Sequence, residues 1–579
     1  MLKVLEPHRF AILTASLATV VVLPPIMDPI NLPKLWILVI CTCVSIFTFL
    51  NSNLQVVLKK NRSTLLICAF FTTSLLIAAF FSNGSLHRIM IGVWGRNNGL
   101  LTYACFLILF LIVSLQNSDL PSKFLIKSLV VLGFILSTYG FFQSLGLDPI
   151  PWDNPNKELL LTLGNSNFGS SILAVTTLAT LMSAFDSGTT KKRRNLLLGF
   201  FLFQFGIILA ARPIQGIIMV VIGSSIIIGF NWSYSQRRNL QIASRYWWSV
   251  QAILGACAVF ALFGMGPMQA LLAANISSLK DRYYHWIAAI NMFQENFLFG
   301  VGLDSFGDKY RLYREIEAIQ SRGTAMFGTN NAHNTFLQLG ATGGIFLLVT
   351  YLSLILFTIW RAVIALKRLP DKKLVSGLFA IWLVLQLQSL ISIDQVGVAV
   401  WSWIIGGCLV GISNSNVEKS NNQNHRKMAN SNKLKRKPIL LAMPLLFSFV
   451  AGFALLPTVI NDLNIRQKII QLVNSRDSAQ ALQNANSLYG EALSSPEPAL
   501  GIVAIEYLLQ SGANDLALSL AQNNVKKFPN SFEAWHALAA CYETLGQKQN
   551  AIAPREVSIR LDPLNEEIKK LLVDDKQSN

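Results

Sequence analysis

Of the six histidines in this chain, His333 stands in an Asn331-Ala332-His333-Asn334 run just ahead of a long apolar segment. An imidazole titrates near neutrality, so it can take a proton from an attacking hydroxyl at physiological pH. His285 lies in the same stretch and is the rival for that role. Three arginines complete the set. Arg282 precedes Trp286 by about one helical turn, and Arg212 separates two apolar runs in Ala211-Arg212-Pro213. Arg96 occupies the glycine-flanked turn Gly95-Arg96-Asn97-Asn98-Gly99. A guanidinium presents a planar fork of donors that matches phosphate oxygens, so these three are candidates to hold a phosphate-bearing ligand. Each also has a plainer reading, because an Arg at the end of an apolar helix commonly anchors the membrane interface. Arg311, Arg314 and Arg322 form a further basic patch, read either as a steering surface or as a solvated helix face.

These residues need a scaffold, and composition says which kind. The 579 residues are 52% hydrophobic and only 13% charged, with a mean hydropathy of +0.46. Charge is scarce over the first 460 or so residues and ordinary after them, which predicts a membrane domain followed by a soluble one. About thirteen apolar segments of spanning length run from 10–27 to 438–458, the close pair around Arg212 being the tightest. Basic clusters occupy alternate loops, at Lys59/Lys60/Arg62, Lys123/Lys127, Lys191–Arg194, Arg237-Arg238, Lys367–Lys373 and Lys433–Lys437. The positive-inside rule then puts the N-terminus in the cytoplasm and the tail outside. The predicted organisation is a membrane domain over 1–415 with a long outer loop at 266–334, a cytoplasmic linker at 416–437, a last span at 438–460 and an outer domain at 461–579. All the candidate groups named above fall on the outer side.

The net charge of +18 does not indicate nucleic acid, since the Lys and Arg sit in short loops without interleaved aromatics. The seven Cys show no metal-ligand or redox spacing, and no cofactor is expected. Gly300-Val301-Gly302 follows an amphipathic stretch rather than a strand, so it is no dinucleotide fingerprint.

The tail is periodic. Gly512 recurs as Gly546, Ala517 as Ala551 and Pro529 as Pro563, each 34 residues on. This resembles a tetratricopeptide repeat, with a degenerate unit at about 461–493 and a helix disturbed at Pro554. Stacks of this kind bind proteins or peptides, so a protein partner is expected at the repeat domain.

The segment from Asp281 to Leu348 resembles the signature region of the O-antigen ligase/polymerase superfamily of membrane glycosyltransferases. The likeness rests on Arg282…Trp286, on Asn296-Phe297-Leu298-Phe299-Gly300-Val301-Gly302, and on His333-Asn334 before a span that opens with glycines. Gly164-Asn165-Ser166-Asn167 is similar to the family's Gly-Asn-Pro-Asn element, and Gly95–Leu100 to its Gly-Arg-x-x-Gly-Leu turn. Where the family shows Ser-Arg-Gly, this chain has Ala211-Arg212-Pro213, so the Arg alone is carried over.

The resemblance implies an α-class, GT-C-like bundle of about 12–13 spans and metal-independent, inverting glycosyl transfer. The donor would be a glycan on undecaprenyl (polyprenyl) diphosphate, and the acceptor hydroxyl would belong to a glycan, a lipid or a protein. His333 would be the base, Arg96, Arg212 and Arg282 the diphosphate ligands, and Trp286 and Asn334 supporting residues. Ligase, polymerase and protein oligosaccharyltransferase all remain open, in the cytoplasmic membrane of a cell that builds surface polysaccharide. From another class stands a polysaccharide flippase. Transporters usually carry ionisable midplane sites or two related halves, and this sequence shows neither. A mere anchor for the repeats would not need so many spans.

Overall fold

The structure, a computed structural model, describes residues 6–50, 61–151, 154, 158–235, 237–262, 277–415 and 439–577. The predicted linker at 416–437 and the first part of the 266–334 loop lie outside the described residues.

Among the described residues every regular element is a helix. The first nine are α1 (Pro7–Val20), α2 (Asn31–Leu50), α3 (Arg62–Phe80), α4 (Leu86–Ile91), α5 (Leu100–Ser114), α6 (Leu120–Ser144), α7 (Ser166–Ala184), α8 (Lys191–Ala210) and α9 (Ile214–Ser233). Next come α10 (Arg238–Leu262), α11 (Ser277–Glu295), α12 (Phe306–Tyr313), α13 (Ile316–Arg322), α14 (Thr335–Arg368), α15 (Lys372–Ser389) and α16 (Val396–Ser413). The last seven are α17 (Ile439–Val473), α18 (Ser478–Ser494), α19 (Pro498–Gln510), α20 (Asn514–Lys527), α21 (Phe532–Thr544), α22 (Lys548–Leu561) and α23 (Glu566–Gln577).

A helix overlaps each segment predicted to span. Eight of them, α2, α3, α6, α7, α8, α9, α14 and α16, are long and apolar enough to cross a membrane. The chain is a multi-pass membrane protein. Burial orders the bundle: the spanning windows of α7 and α16 are 89% buried, whereas that of α8 is 17% buried and faces outward. Polar side chains join helices where hydrocarbon gives no net drive for association. On α8, Gln204 Oε1 accepts from the hydroxyls of Thr176 (2.9 Å) and Thr177 (3.1 Å), and its amide donates to Thr180 (2.9 Å). Trp401 of α16 donates to Thr19 Oγ1 at 2.9 Å, tying α16 to the end of α1.

The loops sort to two ends. Those predicted outside share hydrogen bonds: Asn31 donates to the Gly95 carbonyl (2.8 Å), Arg96 to Asn330 (3.1 Å) and Thr162 to the Thr19 carbonyl (2.9 Å). Those predicted inside meet at the other end, where Asn414 donates to Asn61 (2.7 Å) and Lys372 lies 5.1 Å from the Tyr234 ring.

One break shapes the end where the predicted outer loops meet. α14 is interrupted at Gly344, whose φ of +69° is the left-handed region that only glycine adopts cheaply. A Cβ there would sit 2.2 Å from the Leu298 carbonyl oxygen. The turn 296–302 threads this break: Val301 N–H donates to Ala341 O (2.9 Å), Gly302 N–H to Thr342 O (3.2 Å) and Ile345 N–H to Phe297 O (2.8 Å). The glycines of this turn therefore serve packing against α14.

α17 has 35 residues, about 52 Å at 1.5 Å per residue, far more than a bilayer core requires. It runs without interruption through the 460/461 boundary drawn from the sequence, and its last turns pack on α18 as the first unit of the tail. Helical hairpins α19–α20 and α21–α22 follow, turning at the equivalent residues Gly512 and Gly546, and α23 closes the stack. The helix continues through Pro554, which lies buried inside α22.

Candidate active site

Local sequence explains why His333 projects where it does. Asn334 is the N-cap of α14, its side chain accepting from Leu337 N–H at 3.1 Å. Asn331 accepts the His333 N–H at 2.8 Å, and Gln338 accepts the Ala332 N–H at 2.9 Å. Between these anchors His333 is held at φ +53°, an uncommon conformation for a non-glycine residue. Thr335, the first helical residue, donates to the half-buried Asp394 at 2.9 Å.

His333 faces a cavity of about 530 Å³ at the end of the bundle where the predicted outer loops meet. His285, buried on α11, stacks on it with ring centroids 5.4 Å apart and planes at 28°. Both imidazoles are neutral at physiological pH. Burial chiefly lowers His333 to about 3, helped by the neighbouring His285, Arg282 and Arg96. Burial likewise lowers His285 to about 4, with Arg322 and Arg282 adding to the effect. The cavity lining carries both signs of charge, four arginines and the carboxylates of Asp308, Glu497 and Glu533.

The arginines divide by partner. Arg88 pairs with Asp308 at 2.8 Å, and Arg322 pairs with Asp281 at 2.5 Å while stacking 4.0 Å from the Phe327 ring. Arg311 and Arg314 share the fully buried Asp562 of the tail, at 3.1 Å and 2.6 Å. The basic patch of Arg311, Arg314 and Arg322 is thus neither a solvated face nor a free steering surface, because its charges are compensated. Arg96 and Arg282 differ. Neither makes an ion pair among the described residues, and Arg96 is held by the neutral Asn330 at 3.1 Å.

Arg96 lines the cavity with His333. Arg282 lies close enough to depress both histidines, and burial lowers its own pKa. Trp286, one turn further along α11, keeps its indole N–H buried without a hydrogen-bond partner. Arg212 is not brought into this group. It is exposed in the turn between α8 and α9, at φ +72°, and does not line the cavity.

Behind the cavity, Asp304 accepts the Val93 N–H at 2.5 Å. Burial pushes its carboxyl up to about 6, the Glu497 and Asp308 charges acting in the same direction against the Val93 hydrogen bond and Arg88.

Several cavity residues were not singled out in the sequence. Arg88 and Asp308 form their pair across more than two hundred positions of chain. Glu497, Pro498, Ala499, Ile502, Ser531 and Glu533 come from the tail. The signal for Arg88 was present, as a basic residue two turns ahead of the Gly-Arg turn. That for the tail was the absence of any flexible linker after the last span.

Fold and site define a multi-pass helical membrane protein with a polar cavity built from the loops at one end and closed by a helical-repeat tail. Residues 198–352 match the family model described as O-Antigen ligase. That stretch runs from α8 into α14 and contains Arg212, Arg282, His285 and His333. The match supports a place among the membrane ligases and polymerases that transfer glycans. Residues 477–558 match the family model described as ChAPs (Chs5p-Arf1p-binding proteins), over the repeat-like helices of the tail. No curated protein matches the chain.

Proposed function

We propose that this protein transfers a glycan from a polyprenyl diphosphate to an acceptor hydroxyl at the outer face of the cytoplasmic membrane. The observation that carries the reading is one cavity holding a neutral imidazole beside the Arg96 guanidinium, which makes no ion pair among the described residues. An acceptor O–H gives its proton to His333 as its oxygen attacks the anomeric carbon. The carbon–oxygen bond to the diphosphate breaks with inversion, and its electron pair leaves on the phosphate oxygen. Arg96 and Arg282 take up that developing charge by charge-assisted hydrogen bonds, with no metal in the scheme. The proton then passes from His333 to water.

An imidazole at about 3 is by itself a weak base. A bound diphosphate places negative charge beside it, which raises its pKa toward the working range. The donor thus switches on its own base. Trp286 and Asn334 support the arrangement, Asn334 by capping the helix behind His333. Arg212, exposed at the same proposed outer end, is assigned to a phosphate on the lipid's approach. The tail is read as tetratricopeptide-type repeats outside the membrane, over 461–579.

The test uses purified protein in vesicles, with a labelled polyprenyl-diphosphate glycan and an acceptor. His333→Ala should lower the rate of lipid diphosphate release by roughly 10²–10⁴-fold while donor binding persists. An unchanged rate removes His333 from the chemistry. Glycan movement across the vesicle that survives His333→Ala would instead favour a flippase.

A further inference from the structure

The cavity has two walls of opposite character. The membrane-domain wall carries Arg88, Arg96, Arg311 and Arg322 with the two histidines, its one carboxylate, Asp308, being paired with Arg88. The facing wall comes entirely from the tail and offers Glu497, Ser531 and Glu533 around an apolar patch of Pro498, Ala499 and Ile502. We propose that this tail wall binds the acceptor, and that the acceptor is a hydroxyl-rich glycan end read by Glu497, Ser531 and Glu533. The inference rests on the transfer reading above and adds to it the side and the chemical class of the second substrate.

Charge decides the side. Carboxylates repel a diphosphate, so the donor's charged group belongs on the arginine wall and the tail wall is left to the neutral partner. Carboxylates and hydroxyls suit a ligand rich in O–H donors, and the apolar patch suits the C–H faces of sugar rings.

The wall is also rigidly placed. Glu497, 5% exposed, lies 3.0 Å from His87, and Glu533 lies 3.3 Å from Arg311 with half of its side chain free. Trp94 of the membrane domain donates to Asp462 at 2.7 Å, and Thr324 to Glu567 at 2.9 Å. A substrate positioned against the tail is therefore positioned against His333 as well.

Geometry favours a glycan over a peptide. Glu497 and Ser531 are the N-caps of α19 and α21, and the other four residues lie in the opening turns of the same two helices. The stack thus meets the cavity end on. An extended peptide would need the long sides of these helices, and no cavity residue of the tail lies beyond their opening turns.

The experiment measures transfer by the full chain in vesicles, from a polyprenyl diphosphate carrying a fluorescent oligosaccharide. The acceptor probes are a short hexose oligosaccharide and a Ser/Thr peptide, each titrated. Glu497→Gln and Glu533→Gln should each raise the KM for the oligosaccharide roughly tenfold, with the donor KM within about twofold of wild type. Ala499→Trp fills the patch without touching an ion pair and should raise the acceptor KM at least as much. A merely structural role would lower the amount of folded protein and leave this KM split flat, which would overturn the assignment. Saturation by the peptide but not the oligosaccharide would overturn the glycan class. A wild-type chain that releases no lipid diphosphate with either probe would sink the transfer reading itself, and this inference with it.

Discussion

Asp562 is a fully buried carboxylate from the tail, placed between two guanidiniums of the membrane domain. Arg314 Nη2 donates to both of its oxygens, at 2.6 and 2.7 Å, and Arg311 Nη1 reaches Oδ2 at 3.1 Å. Asp562→Asn keeps the shape and removes the charge, leaving Arg314 buried without a counterion. Breaking one side of a buried ion pair costs about 3–5 kcal/mol. Arg311 keeps Glu533 at 3.3 Å, a half-exposed and well-screened partner, so the lower part of that range applies. At about 1.4 kcal/mol per decade, undocking of the tail from the 306–330 segment should become at least a hundredfold easier. Hydrogen exchange in lipid nanodiscs reads this directly. Peptides covering 311–330 and 555–577 should lose protection together, because Ala325 N–H is held by Glu567 at 2.7 Å across the same seam. Removing the orphaned cation as well, in Asp562→Asn/Arg314→Met, should restore part of the protection. Exchange within about threefold of wild type in both segments would refute the idea that this buried cluster docks the tail.

The pH profile gives a second test. With His333 held at about 3 by burial, His285, Arg282 and Arg96, kcat/KM should show no acid limb from this group down to about pH 5. Arg282→Met removes one of the charges that depress it, so the group's pKa rises toward 6.5 and an acid limb should move up in pH; no movement would contradict that electrostatic link. Gly344→Ala should destabilise the protein by about 2 kcal/mol or more, since a positive φ and a backbone clash combine there. Gly95→Ala carries a positive φ with open space around it, so equal losses in thermal unfolding would deny the clash its role. Arg212→Ala should raise the donor KM and leave kcat unchanged; a fall in kcat with KM constant would move Arg212 into the reacting centre.

Much of the scaffold could be read before the structure, because membrane spans announce themselves through local composition. Each apolar segment overlaps a helix, and among the described residues the loop at Tyr234 meets that at Lys372 while Asn61 meets Asn414. His333, Arg282 and Arg96 were nameable because a short run of unusual residue types surrounds each of them. Their partners were not. The Arg88–Asp308 pair, the His285–His333 stack and the Asp562 cluster depend on chain folding over long separations, for which residue spacing carries no signal. Asn334 shows the converse. Beside His333 it looks chemical, yet its side chain caps a helix, as the side chain of Asn165 does at α7. The tail was legible as a repeat from Gly512 and Gly546, but its place in the cavity wall was not. Only the uninterrupted α17 brings it back over the membrane domain.

The most direct test is a single-turnover experiment on the wild-type chain in oriented vesicles, with the labelled lipid-linked glycan supplied to one face at a time. The expected result is one polyprenyl diphosphate released for each glycosidic bond formed, only from donor on the face that bears the tail. Release from the opposite face, or glycan bonds formed without matching lipid diphosphate, would contradict transfer in the cavity of His333, Arg96 and Arg282.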